Sequence, residues 1–224
     1  MKIKGVIDSM NFGGYDIEKH FNNDDYIIEN VKTIGTFNPH RWSETFGKSL
    51  TRNIIEAKII HTLEGLTIPL KRYASAKDIQ VIEFAGLHSY NEKSKLLKSL
   101  LIELIPQLQQ CKIKRIDVCF DYPKVSNGII KNLCLSGRVP FRWKNTTYYK
   151  TIKEKKSNCK LDIKQYNKQI KEKLLIPMER LEFAFKSPYF QSMELSQLDK
   201  NFLSKIEKTI FKFSGINSKI IPIS

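Results

Sequence analysis

The sequence predicts an α+β fold in which an antiparallel sheet carries helices on one face. Segments that alternate apolar and polar residues recur between residues 77 and 186, and a leucine-rich helical stripe lies among them. Their order is strand, helix, strand, hairpin and strand, which is typical of an antiparallel sheet rather than of alternating βαβ units. We therefore expect one face of the sheet to lie under helices and the other to be partly open.

The chain is long enough to bury a core, and it is strongly basic. It has 224 residues, of which 41% are hydrophobic, so a packed domain is expected. A formal net charge of +15 points to a polyanionic partner, with nucleic acid preferred over an anionic membrane surface. Between Arg142 and Lys173, eleven basic residues stand against three acidic ones. This segment is the expected electrostatic focus.

The sequence has no feature of an exported or membrane-spanning protein. No apolar run is long enough to cross a bilayer, and the N-terminus lacks the apolar centre and cleavage site of a secretory signal. The four cysteines have no CxxC spacing, which favours reduced thiols over a zinc site or a disulfide framework. We expect a cytoplasmic protein that does not bind membranes.

Residues 1–75 give weak local signals. Gly13-Gly14 and the Asn- and Asp-rich residues 21–25 indicate turns. We expect this range to form the N-terminal half of the sheet domain, and a duplicated β-α-β half would fit its length. Residues 76–190 are expected to form the half that carries the functional side chains, and residues 191–224 a C-terminal helix and tail.

The next elements have clearer patterns. Residues 77–86 resemble a strand that ends at a glycine. Asn91 is the expected N-cap of a helix whose leucines recur at helical spacing, and Pro106 should bend or shorten its last turn. Residues 113–122 alternate apolar and polar side chains as a strand does, and residues 126–128 should close that strand as a turn.

A hairpin, a strand and a helix complete the predicted order. Residues 141–152 and 159–168 flank a lysine-rich connection, which predicts a hairpin. Residues 178–186 alternate as a final strand. The tail from Ser192 has apolar residues at helical spacing, which predicts an amphipathic helix.

Period-2 counting places charged residues from three of these strands on one surface. Tyr166 is in phase with the lysines of its strand and out of phase with Leu161 and Ile163, so its hydroxyl should lie on the polar surface. The residues assigned to this surface are Arg115, Asp117, Asp121, Lys160, Asp162, Lys164, Tyr166, Lys168, Arg180, Glu182 and Lys186.

This surface predicts phosphate chemistry. If the strands are neighbours, Asp117 and Glu182 can converge on one metal ion, because adjacent strands lie about 4.8 Å apart. Carboxylate oxygens suit Mg²⁺ or Mn²⁺, which can polarise a phosphoryl oxygen. Tyr166 is the candidate nucleophile. The pKa of a tyrosine is about 10, so a cation is needed to favour the phenolate, and Lys164 and Lys168 are placed for this role.

Three ordered motifs resemble the trans-acting replication initiation factor family, the rolling-circle Rep proteins of small plasmids. The motifs are KRIDVCFDYP (114–123), NTTYYKTIKEKKSNCKLDIKQYNK (145–168) and MERLEFAFK (178–186). They are similar to the family's Arg-Ile/Leu-Asp strand, its Thr-x-Tyr-x-Gly-Ser hairpin with a Tyr-Asp-Lys strand, and its Arg-x-Glu strand. Upstream, EFAGLHSY (83–90) looks like the family's turn before a helix. Here Lys150-Thr151 replaces Gly-Ser, and Asn167 replaces the Asp.

The resemblance implies a ferredoxin-like or Rep-like core and DNA nicking at a replication origin, which starts rolling-circle replication. Tyr166 would attack the scissile phosphate and free a 3′-hydroxyl. Asp117 and Glu182 would hold the divalent ion, with Asp121 or Asp162 as a third carboxylate. The partners implied are origin DNA that is single-stranded at the nick, a second copy of the chain, and a host helicase or polymerase.

Cations around this surface are expected to contact DNA phosphate or to orient the carboxylates. Some of these cations are implied by the resemblance. Others belong to the basic segment, whose lysine runs favour non-specific contact with phosphate. These residues are Arg115, Lys150, Lys155, Lys156, Lys160, Lys164, Lys168 and Arg180.

Several alternatives stay open. Tyr148 or Tyr149 would be the nucleophile if the hairpin register shifted by one residue. Arg115, Arg180 and Asp121 fit a cross-strand ion-pair network equally well. The chain as a whole also fits a nucleic-acid-binding module of a plasmid or phage without catalysis, or a metal-dependent nuclease that uses water and forms no covalent adduct.

Overall fold

The computed structural model describes residues 2–36, 52–74, 79–88, 91–151 and 159–223. All of the strands in these ranges belong to one sheet. The strands are β1 (Ile3–Gly14), β2 (Tyr26–Thr36), β3 (Arg52–His61), β4 (Thr67–Ala74), β5 (Ile79–Ala85), β6 (Lys112–Tyr122), β7 (Arg138–Trp143), β8 (Thr146–Thr151), β9 (Leu161–Asn167), β10 (Glu179–Lys186) and β11 (Ser218–Ile221).

Five α-helices lie in the described ranges, together with short 3₁₀ turns. The helices are α1 (Glu92–Leu104), α2 (Asn127–Leu135), α3 (Lys168–Glu172), α4 (Ser187–Phe190) and α5 (Lys200–Ser214). Within those same ranges, no helix has the length and apolar character needed to cross a lipid bilayer.

The sheet is open and almost wholly antiparallel. Its strand order is β2-β3-β4-β5-β1-β6-β10-β9-β8-β7, and every neighbouring pair in this path is antiparallel. The short β11 pairs in parallel with β1. The predicted α+β class is therefore confirmed, and one sheet runs through all three of the predicted regions.

The apolar face of the central strands forms the core together with the helices. Alternate residues of β6 and β10 point into this core, where the Phe120 and Phe183 rings meet edge to face at 5.9 Å. Leucines and isoleucines from one side of α1 and α5 join the same cluster. Burial of each such side chain stabilises the fold by about 1.5–3 kcal/mol. The other face of these strands is left to the polar side chains.

The first predicted helix is confirmed, and the C-terminal one is shorter than expected. Asn91 caps α1 by accepting a hydrogen bond from the Ser94 backbone N–H at 2.9 Å, and the helix ends before Pro106. The tail helix was expected from Ser192, but α5 begins only at Lys200, after its N-cap Asp199. A separate 3₁₀ turn with its own capping box interrupts the apolar pattern there.

The hairpin of residues 141–168 is confirmed, but the prediction missed a turn inside it. β8 pairs with β9 as expected, and the connecting residues 152–158 lie outside the described ranges. Residues 141–152 are not one strand, because the chain turns back at Lys144 and Asn145, so that Trp143 lies opposite Thr146. Lys144 has φ 51° at this turn.

Further elements were not predicted. Ser126 does not close a turn but caps α2, and β11 follows α5. In residues 1–75 the described positions form strands β1–β4 and a 3₁₀ turn at Ile17–Phe21, and no α-helix lies among them. A duplicated β-α-β half is therefore not seen in the described part of that range.

Gly215 ends α5 in a left-handed conformation in which an added side chain would be strained and would crowd Asn132. Its φ is +73°, and an added Cβ would lie 2.4 Å from Asn132 Nδ2, which donates to the Ser214 carbonyl at 3.0 Å and so ties α2 to α5. Gly137 has a φ of +81° with nothing within 4 Å of an added Cβ.

We expect Gly137→Ala to lower the free energy of unfolding by about 1–2 kcal/mol, which is the cost of a left-handed alanine. Gly215→Ala should cost more, because it also displaces the Asn132 amide. Urea denaturation of both variants measures the difference, and equal losses would contradict a role for the Asn132 contact.

Candidate active site

The register of β6, β10 and β9 brings the predicted polar residues side by side. Glu182 on β10 lies opposite Cys119 on β6 and Lys164 on β9. Two residues earlier on β10, Arg180 lies opposite Asp121 on β6 and Tyr166 on β9. Directly opposed residues of antiparallel strands share a face. The polar face defined by this register comprises Arg115, Asp117, Cys119, Asp121, Asp162, Lys164, Tyr166, Arg180, Glu182 and Lys186.

The polar face is closed at its centre, which corrects the expectation of an open surface. Arg180 is wholly buried, and Asp117, Glu182 and Tyr166 are also buried. Arg115, Lys164 and Lys186 around them are partly exposed. The buried charged side chains form ion pairs with residues of opposite charge on neighbouring positions, and such pairing offsets the cost of removing each charge from water.

Asp117 and Glu182 form the buried carboxyl pair that the sequence predicts. They lie on the adjacent strands β6 and β10, and Arg115 Nη2 lies 3.9 Å from Glu182 Oε1. Arg115 also binds Asp117 through two contacts, Nε to Oδ1 at 2.6 Å and Nη2 to Oδ2 at 2.9 Å. Burial raises the pKa of Asp117 to about 7, and the neighbouring Glu182 carboxylate contributes to the rise. Near neutral pH the pair therefore holds a proton for much of the time.

Tyr166 donates a hydrogen bond to this pair. Its hydroxyl lies 3.2 Å from Glu182 Oε2, while Lys164 Nζ lies 2.7 Å from Glu182 Oε1. Burial, assisted by the Glu182 charge, raises the pKa of Tyr166 well above its usual range. The two lysines that were expected to favour the phenolate pair with carboxylates. Lys164 pairs with Glu182, and the buried Lys168 pairs with Glu172 at 2.9 Å, so Glu182 is the group placed to accept the phenol proton.

Arg180 organises the neighbouring part of the face. It binds Asp121 through Nε–Oδ1 at 2.7 Å and Nη2–Oδ2 at 2.9 Å, and its Nη1 lies 2.8 Å from Asp8 Oδ2. His88 Nε2 lies 3.5 Å from Asp121 Oδ2. The sequence reasoning missed Asp8, which is an extra residue between the β1 positions paired with Val118 and Asp117. Such a bulge re-aims a side chain, and no local motif announces it.

Asp121 and Asp162 do not join the Asp117–Glu182 pair. Asp121 is held by Arg180, and Asp162 forms an ion pair with Lys186 while accepting a hydrogen bond from the Cys159 thiol at 3.3 Å. Across the described ranges, no cluster of three or more His, Cys, Asp or Glu side chains is arranged to hold a metal ion. The structure therefore places two of the four predicted metal ligands together.

Of the remaining predicted residues, Lys150 lies on β8 and Lys160 directly precedes β9. Lys150 and Lys160 are exposed, whereas Lys155 and Lys156 lie outside the described ranges. Of the alternative nucleophiles, Tyr149 points to the opposite face, where its hydroxyl donates to Gln165 Oε1 at 2.7 Å. Tyr148 lies opposite Lys164 and shares the polar face.

We expect Arg180→Met to lower the free energy of unfolding by about 3–5 kcal/mol, because it leaves two carboxylates without their buried cation. Urea denaturation measures the loss, with Arg142→Met, at an exposed site, as the matched control. Adding Asp8→Asn and Asp121→Asn to Arg180→Met should restore part of the stability. A loss under about 1 kcal/mol would show that the Arg180 ion pairs are weak, as at exposed sites.

We expect the stability of the protein to fall as pH rises from about 4 to 7 because of Asp117. Its pKa in the folded state is about 7, above the unfolded value of about 3.9. The folded state therefore binds more protons in this interval, and ionisation at higher pH disfavours it.

Urea midpoints at pH 5 and pH 8 test the effect. From pH 5 to pH 8 the wild type should lose stability relative to Asp117→Asn. Asp162→Asn is the control, because the pKa of Asp162 is lowered, so its contribution is present above the unfolded pKa and is lost only at lower pH. The same pH response in the wild type and Asp117→Asn would contradict the raised pKa.

Comparisons with known proteins assign no family to this site. The chain matches no protein-family model, and no curated protein is similar to it in sequence.

Proposed function

We propose that the protein nicks and rejoins DNA through Tyr166 at a replication origin and so starts rolling-circle replication. The observation that supports this most is the hydrogen bond from the Tyr166 hydroxyl to Glu182 Oε2, inside a buried carboxyl pair ringed by cations. A phenol beside a carboxylate and cations supports the proposal, because a tyrosine nickase needs a nucleophile, a base and positive charge in one small site.

In the proposed first step, the Tyr166 hydroxyl gives its proton to Glu182, and its oxygen attacks the scissile phosphorus. A bond forms between phosphorus and the tyrosine oxygen while the bond to the 3′-oxygen breaks, and the 3′-oxygen takes a proton from water. Arg115 and Lys164 offset the negative charge of the transition state. Attack by the 3′-hydroxyl on the phosphotyrosine reverses the step and rejoins the strand.

The carboxyl pair fits a divalent cation in part. Two neighbouring buried carboxyl groups offer hard oxygen ligands, and a cation can replace the proton that burial favours on Asp117. Asp117 and Glu182 would hold Mg²⁺ or Mn²⁺, with water completing the shell, since Asp121 and Asp162 are engaged elsewhere. When bound, the ion would polarise a phosphoryl oxygen.

The proposal also includes the type of fold, the partners and the cellular compartment. A ferredoxin-like or Rep-like core is supported by the antiparallel strands β6, β10 and β9 beside the helices. Origin DNA, a second copy of the chain, and a host helicase or polymerase are the proposed partners, in the cytoplasm. The net charge of +15 supports the nucleic-acid partner.

A module that binds nucleic acid without catalysis is the second candidate. Two features of the buried residues favour this module. Burial raises the pKa of the Tyr166 phenol, which disfavours a nucleophilic phenolate, and Arg115 donates to both carboxylate oxygens of Asp117. Such a face could be a structural ion-pair network under a basic binding surface.

We expect Tyr166→Phe to abolish nicking and to leave DNA binding within about twofold, because only the nucleophilic oxygen is removed. Supercoiled DNA that carries the replicon origin, incubated with Mn²⁺, is resolved on a denaturing gel, and mass spectrometry locates any tyrosyl-DNA peptide. Tyr149→Phe, on the opposite face, is the matched control and should nick normally.

The other outcomes separate the rival functions. Nicking without a covalent adduct would indicate a nuclease that uses water. Binding without nicking by the wild type would indicate the non-catalytic module. An adduct mapped to Tyr148 would replace Tyr166 as the nucleophile.

A further inference from the structure

The β7–β8 hairpin exposes aromatic rings that the proposed chemistry does not use. Trp143 is 59% exposed, Phe141 is also exposed, and Tyr148 is half-buried beside them. We call Phe141, Trp143 and Tyr148 the aromatic hairpin. Large apolar side chains grouped on a surface typically mark a binding site.

The aromatic hairpin lies on the same face as the candidate active site. Trp143 lies opposite Thr146, which lies opposite Tyr166. Phe141 lies opposite Tyr148, which lies opposite Lys164. Because the next strand after Lys164 carries Glu182, the Phe141 backbone lies three strand spacings from Glu182, or about 14 Å. Phe141 and Tyr148 therefore lie in the same cross-strand row as Glu182.

A pocket of about 610 Å³ lies between the aromatic hairpin and the strands β9 and β10. This volume is within the usual range of ligand pockets. The three rings of the aromatic hairpin line it, together with Lys150 and Lys186. Lys150 Nζ lies 4.3 Å from the centre of the Phe141 ring, so a cation and an aromatic face are presented together.

We propose that the aromatic hairpin binds unpaired bases of single-stranded DNA next to the Tyr166 site. The inference deepens the proposed function and rests on it, because it assigns the strand beside the nick to this pocket. Bases would stack on Trp143, Phe141 and Tyr148, and Lys150 would contact phosphate. Aromatic rings interleaved with cations are the usual platform for single strands, since every base has a π-face.

Charge favours this occupant over an apolar protein segment. Trp143, Tyr148 and Lys150 lie within the basic segment between Arg142 and Lys173, in which eleven residues are basic and three acidic, and Phe141 directly precedes it. Duplex DNA is disfavoured because its bases are already stacked and cannot cover exposed rings. The bases of a single strand can stack on the aromatic rings while its phosphates contact the lysines.

The test uses a dT₁₂ oligonucleotide, the full chain carrying Tyr166→Phe, and no divalent ion, so that no cleavage takes place. With Trp42→Phe also present, Trp143 is the one remaining tryptophan. Binding of dT₁₂ should quench its fluorescence, and a 12-base-pair duplex should not. Anisotropy of labelled dT₁₂ then gives the affinity of each variant in the Tyr166→Phe background.

Trp143→Ala and Phe141→Ala should each weaken dT₁₂ binding roughly tenfold or more. Both should leave the slope of log affinity against log salt unchanged, whereas Lys150→Gln should make that slope less steep by about one phosphate contact. Phe211→Ala is the matched control, because Phe211 is an aromatic residue that is 57% exposed, on helix α5. It should bind as the background does.

Two results would overturn the inference. One is unchanged dT₁₂ affinity in both aromatic variants, and the other is equal quenching by duplex and single strand. Because the assay requires no nicking, stacking can be shown even if Tyr166 proves not to be a nucleophile. Loss of stacking alone would leave the nicking proposal intact.

Discussion

The buried guanidinium of Arg180 is the interaction on which the polar face depends. Arg180 has no exposed surface, and it connects β10 to Asp121 on β6 and to Asp8 on β1. A guanidinium stays charged at any ordinary pH, so its burial is tolerated only while both carboxylates remain in place. The three central strands are therefore held in register by charge as well as by backbone hydrogen bonds. The ion pairs of Arg180 therefore also position Tyr166, which lies opposite Arg180 on β9, and Glu182, which lies two residues further along β10.

The charge balance at the carboxyl pair follows from the same packing. With Asp117 protonated, Asp117 and Glu182 carry a single negative charge next to two cations, Arg115 and Lys164. The site then has one positive charge in excess, which is the charge that a single phosphodiester neutralises. A cation that displaced the proton would increase the attraction for phosphate. Phosphate binding is thus compatible with the site either with or without an ion.

Local periodicity predicted the polar face because side chains alternate along a strand, so Asp117, Tyr166 and Glu182 could be placed on one surface from sequence. It could not predict their state of ionisation, since burial depends on which strands become neighbours. Asp8 was missed because β1 reaches β6 from more than a hundred residues away and the bulge has no sequence signal. The turn at Lys144 was missed because neither glycine nor proline marks it.

Tyr166 and Glu182 are buried, whereas Phe141 and Trp143 of the neighbouring hairpin are exposed. In the proposed reaction, a DNA strand would therefore bind the hairpin first and reach Tyr166 from there. The buried Tyr166 hydroxyl lies beside Glu182, and the partly exposed Lys164 bridges from that carboxylate towards solvent. A phosphate that drew Lys164 away would uncover the carboxyl pair and leave Glu182 Oε1 without the cation that now pairs with it. In the proposed reaction, DNA binding would then uncover both the Tyr166 hydroxyl and the carboxylate beside it, and without DNA the tyrosine would stay shielded.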